Sequence, residues 1–194
     1  MSTISIVFKL ANFRSCCKFV TCLNNNSICS NVIWQKKFVS RSIFTKVLWH
    51  SEEREILVPV DVMYNVVIDV DKYKDFIPWC TKSKVICKSK KTAKAKLAIG
   101  FGPIQEHYKS TIIFNEPNYI KAICTDGLLF HMLDCTWKFS EGSLPSSTNV
   151  EFDVCFEFRS LVYSNLAQAF FDEIVKEMVA AFETRAQQKF LHLK

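Results

Sequence analysis

Two runs near the C-terminal end constrain this chain more than any other feature: HMLDCTWKF (131–139) and VEFDVCFEF (150–158), followed by a long amphipathic helix. In the first, Leu133, Cys135, Trp137 and Phe139 share one face and Asp134, Thr136 and Lys138 the other. In the second, Val150, Phe152, Val154, Phe156 and Phe158 oppose Glu151, Asp153, Cys155 and Glu157. Successive side chains of a strand point to opposite faces, so each run buries one face and wets the other, as in an antiparallel sheet covered on one side. The helix is expected to begin near Asn165, with Gln168 at capping-box spacing. Leu166, Phe170, Ile174, Met178 and Phe182 recur at four-residue steps, and Phe171, Val175, Val179 and Phe190 widen the stripe. Asp172 and Glu173 sit early and Arg185 and Lys189 late, as the helix dipole favours. About 27 residues reach ~40 Å, enough to cross a sheet. Half-apolar strands and one terminal helix imply a curved sheet gripping that helix.

The upstream chain supplies the rest of such a sheet. Residues 52–58 read as a strand. Pro59 and Asp61 open a helix marked by Val62, Val66 and Asp69, and 71–79 reads as a second short helix stopped by Pro78. Residues 82–90 form a strand candidate. Ala93, Ala95, Leu97 and Ile99 then alternate with Lys94, Lys96 and Ala98. Turns at Gly100-Phe101-Gly102-Pro103 and Glu116-Pro117-Asn118 separate this strand from 106–115 and 119–124. The loop 141–147 holds Gly142 and Pro145. The expected order is one strand, two helices, about six strands and one long helix, an α+β domain.

With 194 residues, 49% of them hydrophobic and 17 of them Phe, the chain can pack one ordinary core. No run approaches the ~20 apolar residues of a membrane span. The net charge of +6 is unevenly placed. Residues 1–51 hold seven Lys or Arg (Lys9, Arg14, Lys18, Lys36, Lys37, Arg41 and Lys46) and no acid, which leaves 18 basic against 19 acidic residues beyond them. An acid-free, basic, Ser-containing start reads as a mitochondrial transit peptide, and a secretory signal would need an unbroken apolar core that Lys9 and Arg14 interrupt. The expected organisation is a leader over 1–50, with cleavage near 41–44, and a domain over 51–194. Four of the nine Cys lie in the leader; the other five, Cys80, Cys87, Cys124, Cys135 and Cys155, fit reduced thiols.

Groupings that carry chemistry are not visible. The chain has no Gly-rich phosphate loop, HExxH or CxxC, its four His are scattered, and Asp134 and Asp153 fall on wet strand faces. No catalytic residue, metal ligand or catalytic cofactor is expected. Two features remain. The inward residues Leu97, Ile99, Phe101, Trp137, Phe139, Phe152, Phe156, Phe170, Ile174 and Met178 line either a hydrophobic tunnel or an ordinary core. Lys82, Lys84, Lys88, Lys90, Lys91, Lys94 and Lys96 form either a solvated strand face, an RNA-binding face, or a patch that docks on an anionic membrane with Trp79, Lys82, Lys84 and Phe101 at the interface.

From about Glu52 to Phe190 the chain resembles the START-like helix-grip fold. The segments DKYKDFIPWC (71–80), KLAIGF (96–101), HYKSTI (107–112), DCTWKF (134–139), VEFDVCFEFRSLVY (150–163) and MVAAFETRA (178–186) resemble the mitochondrial coenzyme Q-binding proteins. That resemblance implies ubiquinone held in a hydrophobic tunnel by a lipid chaperone that serves respiratory electron transport and quinone biosynthesis, without chemistry of its own. It also implies peripheral contact with the matrix side of the inner membrane and with respiratory complexes; DNA is not an expected partner. Tyr64, Tyr108, Ser110 and His131 are candidate polar contacts for the quinone ring. A bacterial branch with similar segments is associated with ribosomes, so an RNA-associated module acting through the Lys82–Lys96 face is the alternative. Some START-like relatives are enzymes, which keeps a polyketide- or sterol-directed catalyst as a further alternative.

Overall fold

The computed structural model describes residues 47–101, 104–124, 127–128, 130–159 and 161–193. Most of the expected leader lies outside the described residues. Seven strands form one antiparallel sheet: β1 (Val47–Ile56), β2 (Cys80–Lys88), β3 (Thr92–Phe101), β4 (Ile104–Asn115), β5 (Tyr119–Cys124), β6 (Phe130–Glu141) and β7 (Thr148–Phe158), in the spatial order β1-β7-β6-β5-β4-β3-β2. Between β1 and β2 run α1 (Val60–Ile68), a 3-10 turn (Val70–Lys72) and α2 (Tyr73–Phe76); after β7 comes α3 (Leu161–Leu193). The expected order of elements is the observed one. β1 starts at Val47, five residues ahead of the expected strand, so the sheet takes in the last few residues assigned to the leader.

The alternation read from the sequence sets the inner face. Ala93, Ala95 and Leu97 of β3, Trp137 and Phe139 of β6, and Val150, Phe152, Val154 and Phe158 of β7 are all buried. On α3 the deeply buried stripe is Phe171, Val175, Val179, Phe182 and Ala186, spaced as one helical face. Ile174 and Met178 sit beside that stripe and are half-buried. The helix has 33 residues, ~50 Å at 1.5 Å per residue. Only two residues separate β7 from its start, so Asn165 and Gln168 fall inside the helix and do not form the expected capping box.

Rings clamp the helix at one end. Phe182 lies 4.9 Å from Trp137, 5.2 Å from Tyr73 and 5.2 Å from Phe76, and Trp137 lies 4.3 Å from Phe152, centroid to centroid. Such pairs add about 0.5–1.5 kcal/mol beyond their burial. Along the middle of β1, between buried Leu48 and Ile56, the inner face is polar instead. Arg54 Nη1 donates to Glu183 Oε2 of α3 at 2.7 Å, Arg54 also pairs with Glu52, and His50 Nε2 is 3.3 Å from Glu52 Oε2. Over this stretch the apolar core ends at β7. The 3-10 turn and α2 are tied to the far side of the sheet. Val85 N donates to Asp71 Oδ1 at 2.7 Å, and Ser83 Oγ donates to the Asp71 carbonyl while accepting from Lys74 N.

The β6–β7 loop is organised by a carboxylate from β1. Glu55 accepts from Ser143 N, Ser143 Oγ, Leu144 N and Ser147 Oγ. A Cβ at position 142 would collide with Ser147 and Glu55, which is why glycine stands there. These hydrogen bonds, the Ser147 hydroxyl first, hold the Glu55 carboxyl down to about 2 from 4.5. A depressed folded pKa stabilises above the unfolded value and is lost as pH falls from about 4.5 towards about 2. The difference in denaturant midpoint between the wild type and Glu55→Gln is therefore expected to be present at pH 7 and to vanish over that window; a pH-independent difference would sink the assignment. Phe152→Ala, at a site 1% exposed, is expected to cost about 3–5 kcal/mol in the same assay.

Candidate functional site

The sheet register explains why the core is not solid. Ala122, Cys135 and Val154 sit directly opposite one another across β5, β6 and β7, with Ile112 opposite Ala122 on β4. On one side of this row lie Ile120, Trp137 and Phe152; on the other lie Leu133 and Phe156, with Phe130 and Phe158 beyond. Bulky rows flank the short side chains of Ala122 and Cys135, and the helix rests on the bulky ones. A cavity of about 210 Å³ is left over the small row. Leu97, Ile99, Ile112, Ala122, Leu133 and Val154 form its sheet wall, Phe171, Ile174, Met178 and Phe182 its helix wall, and Val67, Val70, Tyr73, Ile77 and Trp79 its third side. Ile174 and Met178 are half-buried because they face this space.

Among the described residues its polar groups are few and neutral. Tyr108, Ser110, Cys80 and Cys135 line the sheet side and Tyr73 the short-helix side. Tyr73 Oη donates to the Val67 carbonyl and Ser110 Oγ to the Ile123 carbonyl, whereas Tyr108 stands edge-on to Phe130 at 6.1 Å. Burial pushes the Cys135 thiol up to about 12 and raises both phenols and the Cys80 thiol. Among the described residues, no carboxylate, His, Lys or Arg lines the cavity. With these wall groups held protonated at neutral pH, the wall offers hydrogen-bond donors and acceptors but no general base.

Of the tunnel residues expected from sequence, Leu97, Ile99, Trp137, Phe156, Ile174 and Met178 line the cavity. Phe139 does not: it is buried one step further along β6, stacked on Trp137 at 6.3 Å and edge-on to Tyr64 at 6.0 Å. Phe152 packs beneath Trp137 in the same solid region. The side chains of Phe101 and Phe170 lie outside the described residues. Among the expected polar contacts, Tyr108 and Ser110 face the cavity; Tyr64 packs on Phe139, and His131 is exposed. Trp79, expected at a membrane interface, is half-buried and walls the cavity, while Lys82 and Lys84 are exposed on the opposite side of the sheet. The sequence reading missed Val67, Val70, Tyr73 and Ile77, because the two short helices carried no sign of which face meets the sheet. The small residues Ala122 and Cys135 between bulky neighbours were the available signal for the cavity itself.

A family model described as polyketide cyclase / dehydrase and lipid transport matches residues 56–183. The coenzyme Q-binding protein COQ10 homolog B of Xenopus laevis is 42% identical over 73% of this chain, which spans 59% of that protein's length. The coenzyme Q-binding protein COQ10 of Dictyostelium discoideum is 32% identical over 75% of this chain and 72% of its own. The ribosome association toxin RatA of Rickettsia prowazekii is 29% identical over 65% of this chain and 87% of its own. Among solved structures, the Streptomyces aromatase/cyclase Zhui superposes with a TM-score of 0.66 at 12% identity, over 74% of this chain and 96% of its own, a likeness of fold. An 18 kDa protein of Caulobacter crescentus gives 0.62 at 26% identity, over 76% and 99%.

The raised, half-buried Cys135 thiol on the cavity wall makes a direct check. Iodoacetamide at pH 8 should alkylate exposed Cys87 in the native protein and reach Cys135 about a hundredfold more slowly, as peptide mass spectrometry would read. Comparable rates at the two positions would mean that the cavity is open to water.

Proposed function

As the chain belongs to the polyketide cyclase / dehydrase and lipid transport family, within its coenzyme Q-binding branch, we propose that it binds a polyprenyl quinone of the coenzyme Q type and presents it without transforming it. The cavity carries this reading: an apolar chamber between sheet and helix, with neutral polar groups on its walls and no ionisable group set for turnover among the described residues. The phenol of Tyr108 and the hydroxyl of Ser110 suit the carbonyl oxygens of a quinone ring, and the helix wall suits its apolar edge.

Size decides how the ligand is held. A volume of 210 Å³ is room for about seven water-sized groups, below the ~300–1,000 Å³ of sites that enclose a drug-sized ligand. A ring and its first substituents fit; a long prenyl tail does not. Exposing that tail to water costs roughly 25 cal/mol per Å². The tail therefore stays in a bilayer, and the protein works at a membrane surface. Among the described residues no helix is long and apolar enough to cross one, which agrees with peripheral contact. With the basic, acid-free residues that precede β1 acting as a mitochondrial leader, that surface is the matrix side of the inner membrane, where the bound quinone serves respiratory electron transport and quinone biosynthesis.

An enzyme of the same fold is the second reading, supported by the aromatase/cyclase likeness, but that likeness is one of fold alone. The neutral chemistry of the cavity wall counts against it. The RatA relative supports an RNA-associated reading, at lower identity than the coenzyme Q-binding relatives named above.

Lipid extraction of the purified protein with mass spectrometry, followed by titration with ubiquinone, tests the proposal. A co-purifying quinone and saturable binding are expected. Met178→Trp should fill the cavity and weaken binding at least about tenfold while the unfolding midpoint holds, since Met is a pliable gap-filler and the new ring enters empty space. No quinone in the extract and no saturable binding would overturn the reading.

A further inference from the structure

The outer side of the same strands carries a second concavity, with charge in place of grease. Between Asp75 and Glu106 the chain has seven lysines and no acid. The register sets Lys84 of β2, Lys96 of β3 and Lys109 of β4 directly opposite one another, and Lys82 opposite Ala98 opposite His107. Ala98 is 2% exposed on this outer face, so the surface dips where its neighbours project lysines. The result is a trough of about 600 Å³ walled by Lys74, Lys82, Lys84, Lys96, Lys109 and His107.

Like charges placed directly opposite across strands destabilise a sheet. Among the described residues, no carboxylate lies within ion-pair distance of Lys74, Lys82, Lys84 or Lys96. The same face compensates its lysines elsewhere: Lys121 meets Asp134 at 2.8 Å and Lys138 meets Glu151 at 2.5 Å. Lysines on β2 are explained by its position at the sheet edge, where charge discourages pairing with another chain. That explanation does not reach Lys96, which lies on the interior strand β3. Lysines left without a carboxylate beside them on β2, β3 and α2 are complementary to an anionic surface.

We propose that this trough docks the protein on the phosphates of an anionic phospholipid bilayer. Ile86, 50% exposed, and Ile113, 40% exposed, lie on β2 and β4 and suit the boundary between headgroups and acyl chains. Nucleic acid fits less well. Among the described residues no Phe or Trp lines the trough, the Tyr108 ring points into the cavity, and the imidazole of His107 alone gives a base little to stack on. Leu97 and Tyr108 border both spaces, and Lys74 of the trough follows Tyr73 of the cavity on α2. Docking here holds the cavity one strand's thickness from the headgroups that surround the quinone tail. The inference deepens the quinone-presenting reading and rests on it for its purpose, while vesicle binding itself requires no quinone.

The test uses the full chain and flotation with vesicles of phosphatidylcholine alone or equimolar phosphatidylcholine and phosphatidylglycerol. Each lysine near an anionic surface contributes about a fivefold gain in partitioning, so Lys82→Glu with Lys96→Glu should lose at least about tenfold on the anionic vesicles. Lys176→Glu with Lys189→Glu makes the same charge change on α3, none of whose described residues walls the trough, and should lose less than about twofold. The Lys96→Glu change puts a carboxylate between Lys84 and Lys109 and replaces repulsion with attraction, so the unfolding midpoint should hold or rise. Equal losses in the two pairs, or none in the trough pair, overturn the proposal. So does a trough pair that keeps vesicle binding but loses binding to an RNA oligonucleotide, since the occupant is then nucleic acid. A wild type that binds no ubiquinone, yet whose vesicle binding falls with the trough pair, supports the trough and overturns only the quinone reading.

Discussion

The long helix cannot settle onto the sheet, because large side chains hold it off on both sides of a row of small ones. Trp137, Phe152 and Phe182 jam at one end; Phe130, Phe156 and Phe171 meet at the other, where Phe156 and Phe171 stand edge-on at 5.5 Å. Between them Ala122 and Cys135 are too short to reach the helix. Protein interiors ordinarily close such gaps, since an unfilled apolar void forfeits dispersion contacts on every wall. Here collapse would require moving rings that are wedged against each other on neighbouring strands. The empty space follows from the size order of side chains along the sheet.

This explains what was legible beforehand and what was not. Period-two alternation identified the inner face of β6 and β7 and the antiparallel sheet, because burial on one face is a one-dimensional pattern. Period-four spacing found the helix stripe and picked out Ile174 and Met178. Telling cavity wall from packed core needs the register between strands. Phe139 and Phe152 share a face with Trp137, yet the register carries them past the small row into the solid part. The contributions of Tyr73 and Ile77 depended on how the 3-10 turn and α2 fold back over β2, which Asp71, Lys74 and Ser83 decide through hydrogen bonds 9 to 14 residues apart in sequence. Local periodicity holds no trace of those bonds.

The wall chemistry separates holding from reacting. Thiols and phenols buried among Phe, Ile and Leu keep their protons, because their anions would be desolvated with no cation on the wall to offset the loss. They remain able to orient a carbonyl or hydroxyl by hydrogen bonding. Relatives of the same fold with a carboxylate or imidazole in the equivalent space would face a different constraint, so the fold by itself does not separate binders from catalysts.

The convex face of the sheet is electrically lopsided. Lys82, Lys84, Lys94 and Lys96 occupy one end, and Glu53, Glu55, Glu151 and Asp153 the other, on β1 and β7. A plate charged this way feels a torque, and not only a pull, near any charged surface. At physiological salt that field fades over ~8 Å, about the height of the lysines themselves above the strands. An anionic surface within that range would therefore turn the lysine end towards itself and the acidic end away, so that the charge pattern selects an orientation as well as a distance.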